Sequence, residues 1–227
     1  MLVAALRVDE GNTTLSAWTR NRGMYVWPLP NGPFTPPTPG GPTATPGGCS
    51  LSFSDVQTTD YFYTPVIYLA CHGAISGYAD GTFRPYNNTT RGQLSKIIVG
   101  AKGWAIDTTG GLHFSDVDAS NPFYNFIETA YNHGVISGYG DGTFRWGANV
   151  TRGQLSKIIV SAQGWAINTT GGPHFSDVDT SNPFYNFIET AYNRSIISGY
   201  GDGTFRWGND ATRGQISKIV YLAVTAP

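Results

Sequence analysis

Three arginines stand at one point of a recurring pattern: Arg91, Arg152 and Arg213, each 61 residues after the last and each inside Thr-Arg-Gly-Gln. Thr and Gln at this spacing form a reciprocal capping box, which places the arginine in the first turn of a helix. A guanidinium there joins a two-pronged donor to the positive end of the helix and its free N–H groups, a setting that favours a carboxylate. The glycine that follows, Gly92, Gly153 or Gly214, lets a ligand come close to the backbone. Asp55, Asp116 and Asp177 recur at the same period within Phe-Ser-Asp-Val. A second reading of these residues needs no ligand, because each arginine can pair with the aspartate of its own or the next copy.

Other chemistry finds little footing. Glu128 and Glu189 occupy matching places, but the first copy has Ile67 there, and no Ser, Cys or His sits in a nucleophile motif. His72, His113, His133 and His174 lack a partner at hydrolytic or metal-ligand spacing and read as loop or helix-end residues. Asp80, Asp141 and Asp202, each in Asp-Gly-Thr-Phe, lack the oxygen-ligand ladder of a calcium loop and read as turns. No enzyme, metal or cofactor is expected. Trp146 and Trp207 are candidates for stacking on sugar rings, against the alternative that repeated aromatics, Trp104 and Trp165 among them, fill the core or the joins between copies.

The elements that must position the arginines follow from the repeat. In the second copy Asn121 and Pro122 predict a helix start, with Phe123, Phe126, Ile127, Ala130 and Tyr131 on one face and Gly134 as a left-handed cap. A glycine-rich loop follows, from Ile136 to Trp146. A second helix then starts at Thr151 and buries Leu155, Ile158, Ile159 and Ala162. The chain thus divides into a β-prone segment 1–32, a Pro/Gly/Thr-rich linker 33–50, and repeats over 51–111, 112–172 and 173–227. Residues 1–32 hold three short strand-like runs, a poor core alone, which invites a missing upstream domain or strand addition to a neighbouring subunit.

Composition narrows the setting. Of 227 residues only 13% are charged and the net charge is −1, so no basic field exists to gather nucleic acid or an anionic membrane surface. No apolar run reaches the ~20 residues that cross a bilayer, and the first ten residues lack a signal peptide's pattern, so a signal has been removed or the chain is a fragment. Cys49 and Cys71, the only cysteines, either form one disulfide or remain as buried thiols, and their even count with sparse charge favours the disulfide of a secreted protein. Asn12, Asn87, Asn88, Asn149, Asn168 and Asn193 match the N-glycosylation acceptor pattern, and most such matches arise by chance.

Phe-Ser-Asp-Val, then an aromatic-rich helix, then Ile-Ser-Gly-Tyr-x-Asp-Gly-Thr-Phe-Arg, then Thr-Arg-Gly-Gln, resembles the S-layer homology domain in three tandem copies over residues 53–222. The resemblance implies a mainly α fold in which three helix-loop-helix repeats pack as a pseudo-threefold spindle. It implies a non-catalytic extracellular protein held on the bacterial envelope through secondary cell-wall polysaccharide, often pyruvylated and anionic. It carries glycan binding onto Arg91, Arg152 and Arg213, with Asp55, Asp116 and Asp177 shaping the grooves. Gln93, Gln154 and Gln215 depart from the family's usual Glu, which keeps the capping role and removes a negative charge. The alternative is a self-assembling subunit of a surface layer, tube or filament, a homo-oligomer or polymer whose N-terminal strands add to a neighbour.

Overall fold

The computed structural model describes residues 49–226 and, of the N-terminal segment, the backbone of three strands. These strands, β1 (Val3–Val8), β2 (Thr14–Thr19) and β3 (Gly23–Pro28), pair antiparallel in the order β1-β2-β3. The acceptor pattern at Asn12 and the linker over 33–48 lie outside the described residues.

Each repeat contributes two helices: α1 (Tyr63–Cys71) and α2 (Arg91–Lys102), α3 (Tyr124–Asn132) and α4 (Arg152–Gln163), α5 (Tyr185–Asn193) and α6 (Arg213–Thr225). The second helix of each pair begins where its capping box lies. Thr90, Thr151 and Thr212 each accept from the glutamine N–H three residues on, and the glutamine side chain accepts the threonine N–H in return. Such a cap stabilises a helix by about 1 kcal/mol. The first helices of the second and third repeats start later than their Asn-Pro signal predicts. Asn121 Oδ1 accepts from Phe123 N–H (2.9 Å) and its carbonyl accepts from Tyr124 N–H (3.0 Å), so the asparagine closes a tight turn and α3 begins at Tyr124. An Asx turn competes with a cap for the same side-chain oxygen, and here the turn wins.

The repeats close into a ring. α2 packs on α3, α4 on α5, and α6, at the far end of the chain, returns to pack on α1; α2, α4 and α6 also touch one another at the centre. On the axis Thr89 N–H donates to Ala211 O (3.1 Å), Ala211 N–H to Val150 O (2.9 Å) and Val150 N–H to Thr89 O (2.9 Å), a cyclic set of three bonds with one from each repeat. Phe62, Phe83, Phe144 and Phe205 are fully buried in the core. Cys49 and Cys71 form a disulfide that ties the end of the linker, just ahead of the first repeat, to the end of α1; a loop of this length is worth about 3 kcal/mol in the chain-entropy estimate.

The second residue after each first helix adopts left-handed backbone: Gly73 at φ 71°, Gly134 at φ 69° and, in the third repeat, Ser195 at φ 59°. Serine carries a Cβ cost there that glycine does not. Ser195→Gly is expected to stabilise the fold by about 1 kcal/mol in denaturant unfolding, whereas a loss of stability would show that the serine side chain compensates.

Candidate inter-repeat grooves

The arginine helix starts are occupied by protein. Arg91 N–H donates to Ala148 O and Gly92 N–H to Trp146 O, both 2.9 Å away in the next repeat, and Gln93 N–H is taken by the Thr90 cap. The same bonds recur from Arg152 and Gly153 to Asn209 and Trp207, and from Arg213 and Gly214 to Asn87 and Pro85. The expectation of free amides for a carboxylate at these helix ends is therefore corrected. The glycine positions are filled too. A Cβ on Gly92 would lie 2.7 Å from the Phe123 ring, on Gly153 2.6 Å from Phe184 and on Gly214 2.8 Å from Phe62. Close approach here is by an aromatic side chain of the following repeat.

Each guanidinium reaches across to the next repeat's glycine-rich loop. Arg91 Nε donates to Phe144 O (2.8 Å) and Nη2 to Ser137 O (3.1 Å); Arg152 does so to Phe205 (2.8 Å) and Ser198 (3.3 Å), Arg213 to Phe83 (2.9 Å) and Ser76 (2.8 Å). All three are buried, at 5–7% exposure. Asp116 grips the same loop from its other side, accepting from Phe144 N–H (2.6 Å) and Arg145 N–H (2.7 Å), and Asp55 and Asp177 do likewise in their repeats. Arginine and aspartate thus hold opposite ends of one residue, Phe144, and no direct ion pair joins them among the described residues. The alternative in which they bind each other directly is not what this geometry shows.

This clamp fixes an aromatic between two cations. Tyr139 lies under the Arg145 guanidinium (4.0 Å to the ring centroid) and under that of Arg91 (5.1 Å), and Tyr78 and Tyr200 have equivalent pairs. Arg145 has left-handed backbone, φ 58°, held by the Asp116 carboxylate, and its guanidinium meets Asp141 at 2.9 Å. Beside Tyr139 opens a groove of about 150 Å³. Its floor is Val135, Ile136 and Ile158; Arg91, Ser137, Gly138, Tyr139, Gln154, Lys157 and Phe184 form its walls. All three repeats contribute, Arg91 from the first and Phe184 from the third. Burial pushes the Arg91, Arg152 and Arg213 guanidinium groups below their ordinary value, the nearby Asp116, Asp177 and Asp55 offsetting only part of the loss, as expected for cations that have lost water and hydrogen-bond to neutral carbonyls. A ligand anion would restore that lost stabilisation.

Tyr139, Arg145, Lys157 and Phe184 are absent from the sequence-derived candidates, although each recurs with the same 61-residue period as the arginines. Trp146 and Trp207 are half-buried, packed against Phe123 and Phe184 at 6.0 Å between centroids, and neither lines this groove. Asn88 and Asn149 both donate to Asp210 Oδ2 (2.9 and 2.8 Å) near the axis, so their amide nitrogens are engaged. Asn193 donates to Asn168 O and Thr170 O, while Asn87 and Asn168 are exposed.

The histidines fall into two kinds. His72 and His133 stack on Tyr68 and Trp104. His113 and His174 pair through Nδ1 with Glu128 and Glu189, carboxylates with no exposure at all. The signal for these pairs is a joint loss, since the first repeat replaces both members, with Ser52 and Ile67. A larger depression, about 380 Å³, lies beside His174, Phe175 and Asp179 within the third repeat, but Asp179 is turned onto Ser181 and no charges converge there.

The aspartates of the turns are strongly acidic. The Thr82 hydroxyl (2.6 Å) and the Arg84 guanidinium (2.9 Å) hold the Asp80 carboxyl down to about 2. Because its folded value lies below the ordinary 3.8, this contact contributes fully above pH 3.8 and fades only as pH falls through about 2. Carboxyl carbon NMR is expected to give Asp80 a midpoint near 2; an unshifted midpoint would show that the turn contact is not held in solution.

A family model described as the S-layer homology domain matches residues 52–95, 113–156 and 174–216. Cell surface glycoprotein 1 of Acetivibrio thermocellus is 29% identical over 66% of this chain and 7% of its own length. An endoglucanase of Bacillus sp. is 26% identical over 74% of this chain and 18% of its own. A cellulosome-anchoring protein of A. thermocellus is 28% identical over 58% of this chain and 31% of its own. The chain therefore spans less than a third of each of these relatives.

Proposed function

Because the chain belongs to the S-layer homology domain family, we propose that it is a non-catalytic anchor on the bacterial cell surface, binding an acidic wall polysaccharide in the grooves between repeats. One arrangement carries this reading. A buried guanidinium with no carboxylate ion pair among the described residues, over the Tyr139 and Phe144 rings, shares an apolar-floored groove with Lys157 and Phe184. A sugar ring offers an apolar face to the aromatics, and a carboxylate on that sugar, such as a pyruvate ketal supplies, meets both cations. Gln154 in place of an acidic residue leaves the groove wall without a repelling charge.

The working residues in this reading are Arg91, Arg152 and Arg213 with the tyrosines and lysines beside them. Asp55, Asp116 and Asp177 act behind them by holding the loops. Names among the relatives, a surface glycoprotein, an anchoring protein and an endoglucanase, fit one attachment module joined to different working domains. Co-sedimentation with walls of a surface-layer-bearing bacterium tests the reading: intact walls are expected to carry the chain down, and walls stripped of their acid-labile polysaccharide to leave it in solution. Equal sedimentation with both, or none with either, would reject it.

Self-association is a companion role supported by the sheet order β1-β2-β3, which places β1 and β3 at its edges. Electron microscopy of the chain with and without residues 1–48 tests it, since ordered assemblies that persist after truncation would exclude strand addition.

A further inference from the structure

The three grooves differ, and the difference centres on one residue. The 61-residue period places the counterpart of the groove beside Tyr139 at Arg152, the Ser198–Tyr200 loop and α6, where the first repeat packs back on the third. Tyr61-Phe62 stands there in place of Pro122-Phe123 and Pro183-Phe184. Phe62 takes the place of its counterparts against Gly214 and is fully buried. Tyr61, beside it, keeps 41% of its surface exposed and packs edge-on to Phe62 at 4.9 Å between centroids. The Lys218 ammonium lies 5.5 Å over the Tyr61 ring, whereas the matching Lys96 and Lys157 face Phe126 and Phe187 on the first helices.

Tyr61 is also an electrostatic neighbour of Arg152, a part no equivalent residue plays for Arg91 or Arg213. Burial pushes the Lys218 ammonium below its ordinary value. The groove between the third and first repeats thus gathers a guanidinium, a partly dehydrated ammonium and a part-exposed phenol ring. In the first repeat Pro85 replaces the tryptophan of the other two, and the next residue, Tyr86, packs edge-on to Phe62 with 64% exposure. Aromatic surface has moved here from the packed tryptophan position to the open side.

Resting on the reading that the grooves hold an acidic sugar, we propose that Tyr61 determines specificity: its ring is the platform on which a pyranose stacks, so the groove between the third and first repeats binds most tightly. The polarised C–H groups on one face of a pyranose match the electron-rich face of the phenol ring, while a carboxylate on the same sugar reaches Lys218 and Arg152. No proline at the matching position can offer that face.

The test is an amide-resolved NMR titration of the full chain with the methyl glycoside of a pyruvylated N-acetylhexosamine, read at Lys96, Lys157 and Lys218. The Lys218 groove is expected to titrate at a concentration about threefold to tenfold lower than the other two. Tyr61→Pro and, independently of backbone effects, Tyr61→Ser should raise that midpoint to the others' level, and Tyr61→Phe should retain it. Equal midpoints in the unmodified chain, or a lower midpoint that survives both Tyr61→Pro and Tyr61→Ser, would overturn the role of Tyr61 while leaving groove binding intact. Silence at all three lysines would remove both.

Discussion

Deletion of residues 212–225 is expected to unfold all three repeats. α6 lies at one end of the sequence but packs on α1 at the other and on α2 and α4 at the centre. Its Ile216, Ile219 and Val220 are buried, and each such side chain contributes about 1.5–3 kcal/mol. Together they amount to about 5–9 kcal/mol, comparable to the whole stability of a domain this size. Deletion also removes the helix that anchors Ala211 in the axial ring, leaves Phe62 without its cover at Gly214, and frees the carbonyls of Phe83 and Ser76. In an open stack, loss of a terminal repeat removes only that repeat's share. Here thermal unfolding of the truncated chain should lose its cooperative transition, and amide dispersion should collapse across residues 51–211. A truncated chain that melts cooperatively with two folded repeats would contradict ring closure.

Arg152→Ala carries the second large effect, and it falls on stability before binding. Hydrogen bonds from a charged group are worth about 1.5–3 kcal/mol each, and Arg152 makes two to carbonyls while lying 4.3 Å over the Phe205 ring. Truncation leaves both carbonyls short of a partner in a largely dry place. A loss of about 2–4 kcal/mol is expected in denaturant unfolding. Arg152→Lys should recover less than half of it, since one ammonium cannot span the two acceptors that the planar fork reaches. A change within about 0.5 kcal/mol for Arg152→Ala would show that the clamp is not structural. Release from the wall after this substitution would therefore report a damaged fold as well as a damaged groove. Lys157, on the groove wall and away from the clamp, separates the two effects.

Legibility followed the range of the signal. The capping boxes at Thr90, Thr151 and Thr212 lie within four residues of sequence, and the helices begin where those boxes place them. The three-repeat organisation was legible from the 61-residue period and the two helices of each copy from local caps and apolar stripes, while the packing of the copies was what the family resemblance implied. The destinations of the arginine donors were not legible. Arg213 reaches Ser76 across 137 residues, and only the closure of the ring brings them together. A local reading sees a helix start with free amides, and it cannot see the carbonyls of Trp146, Trp207 and Pro85 arriving from the next repeat. The glycines illustrate the same limit: composition marks a close approach at Gly92 without saying that Phe123 makes it. The His113–Glu128 pair was hidden because its members stand 15 residues apart on a loop and a helix. Their joint replacement in the first repeat was the one trace of it in the sequence.

Binding by the grooves is tested most directly by calorimetric titration of extracted wall polysaccharide into the chain and into its Lys96→Ala, Lys157→Ala, Lys218→Ala variant. The unmodified chain should show saturable binding that weakens with added salt, and the triple variant should lose at least tenfold in affinity with its melting temperature unchanged. Equal affinity in both, at equal stability, would contradict a glycan held between the repeats.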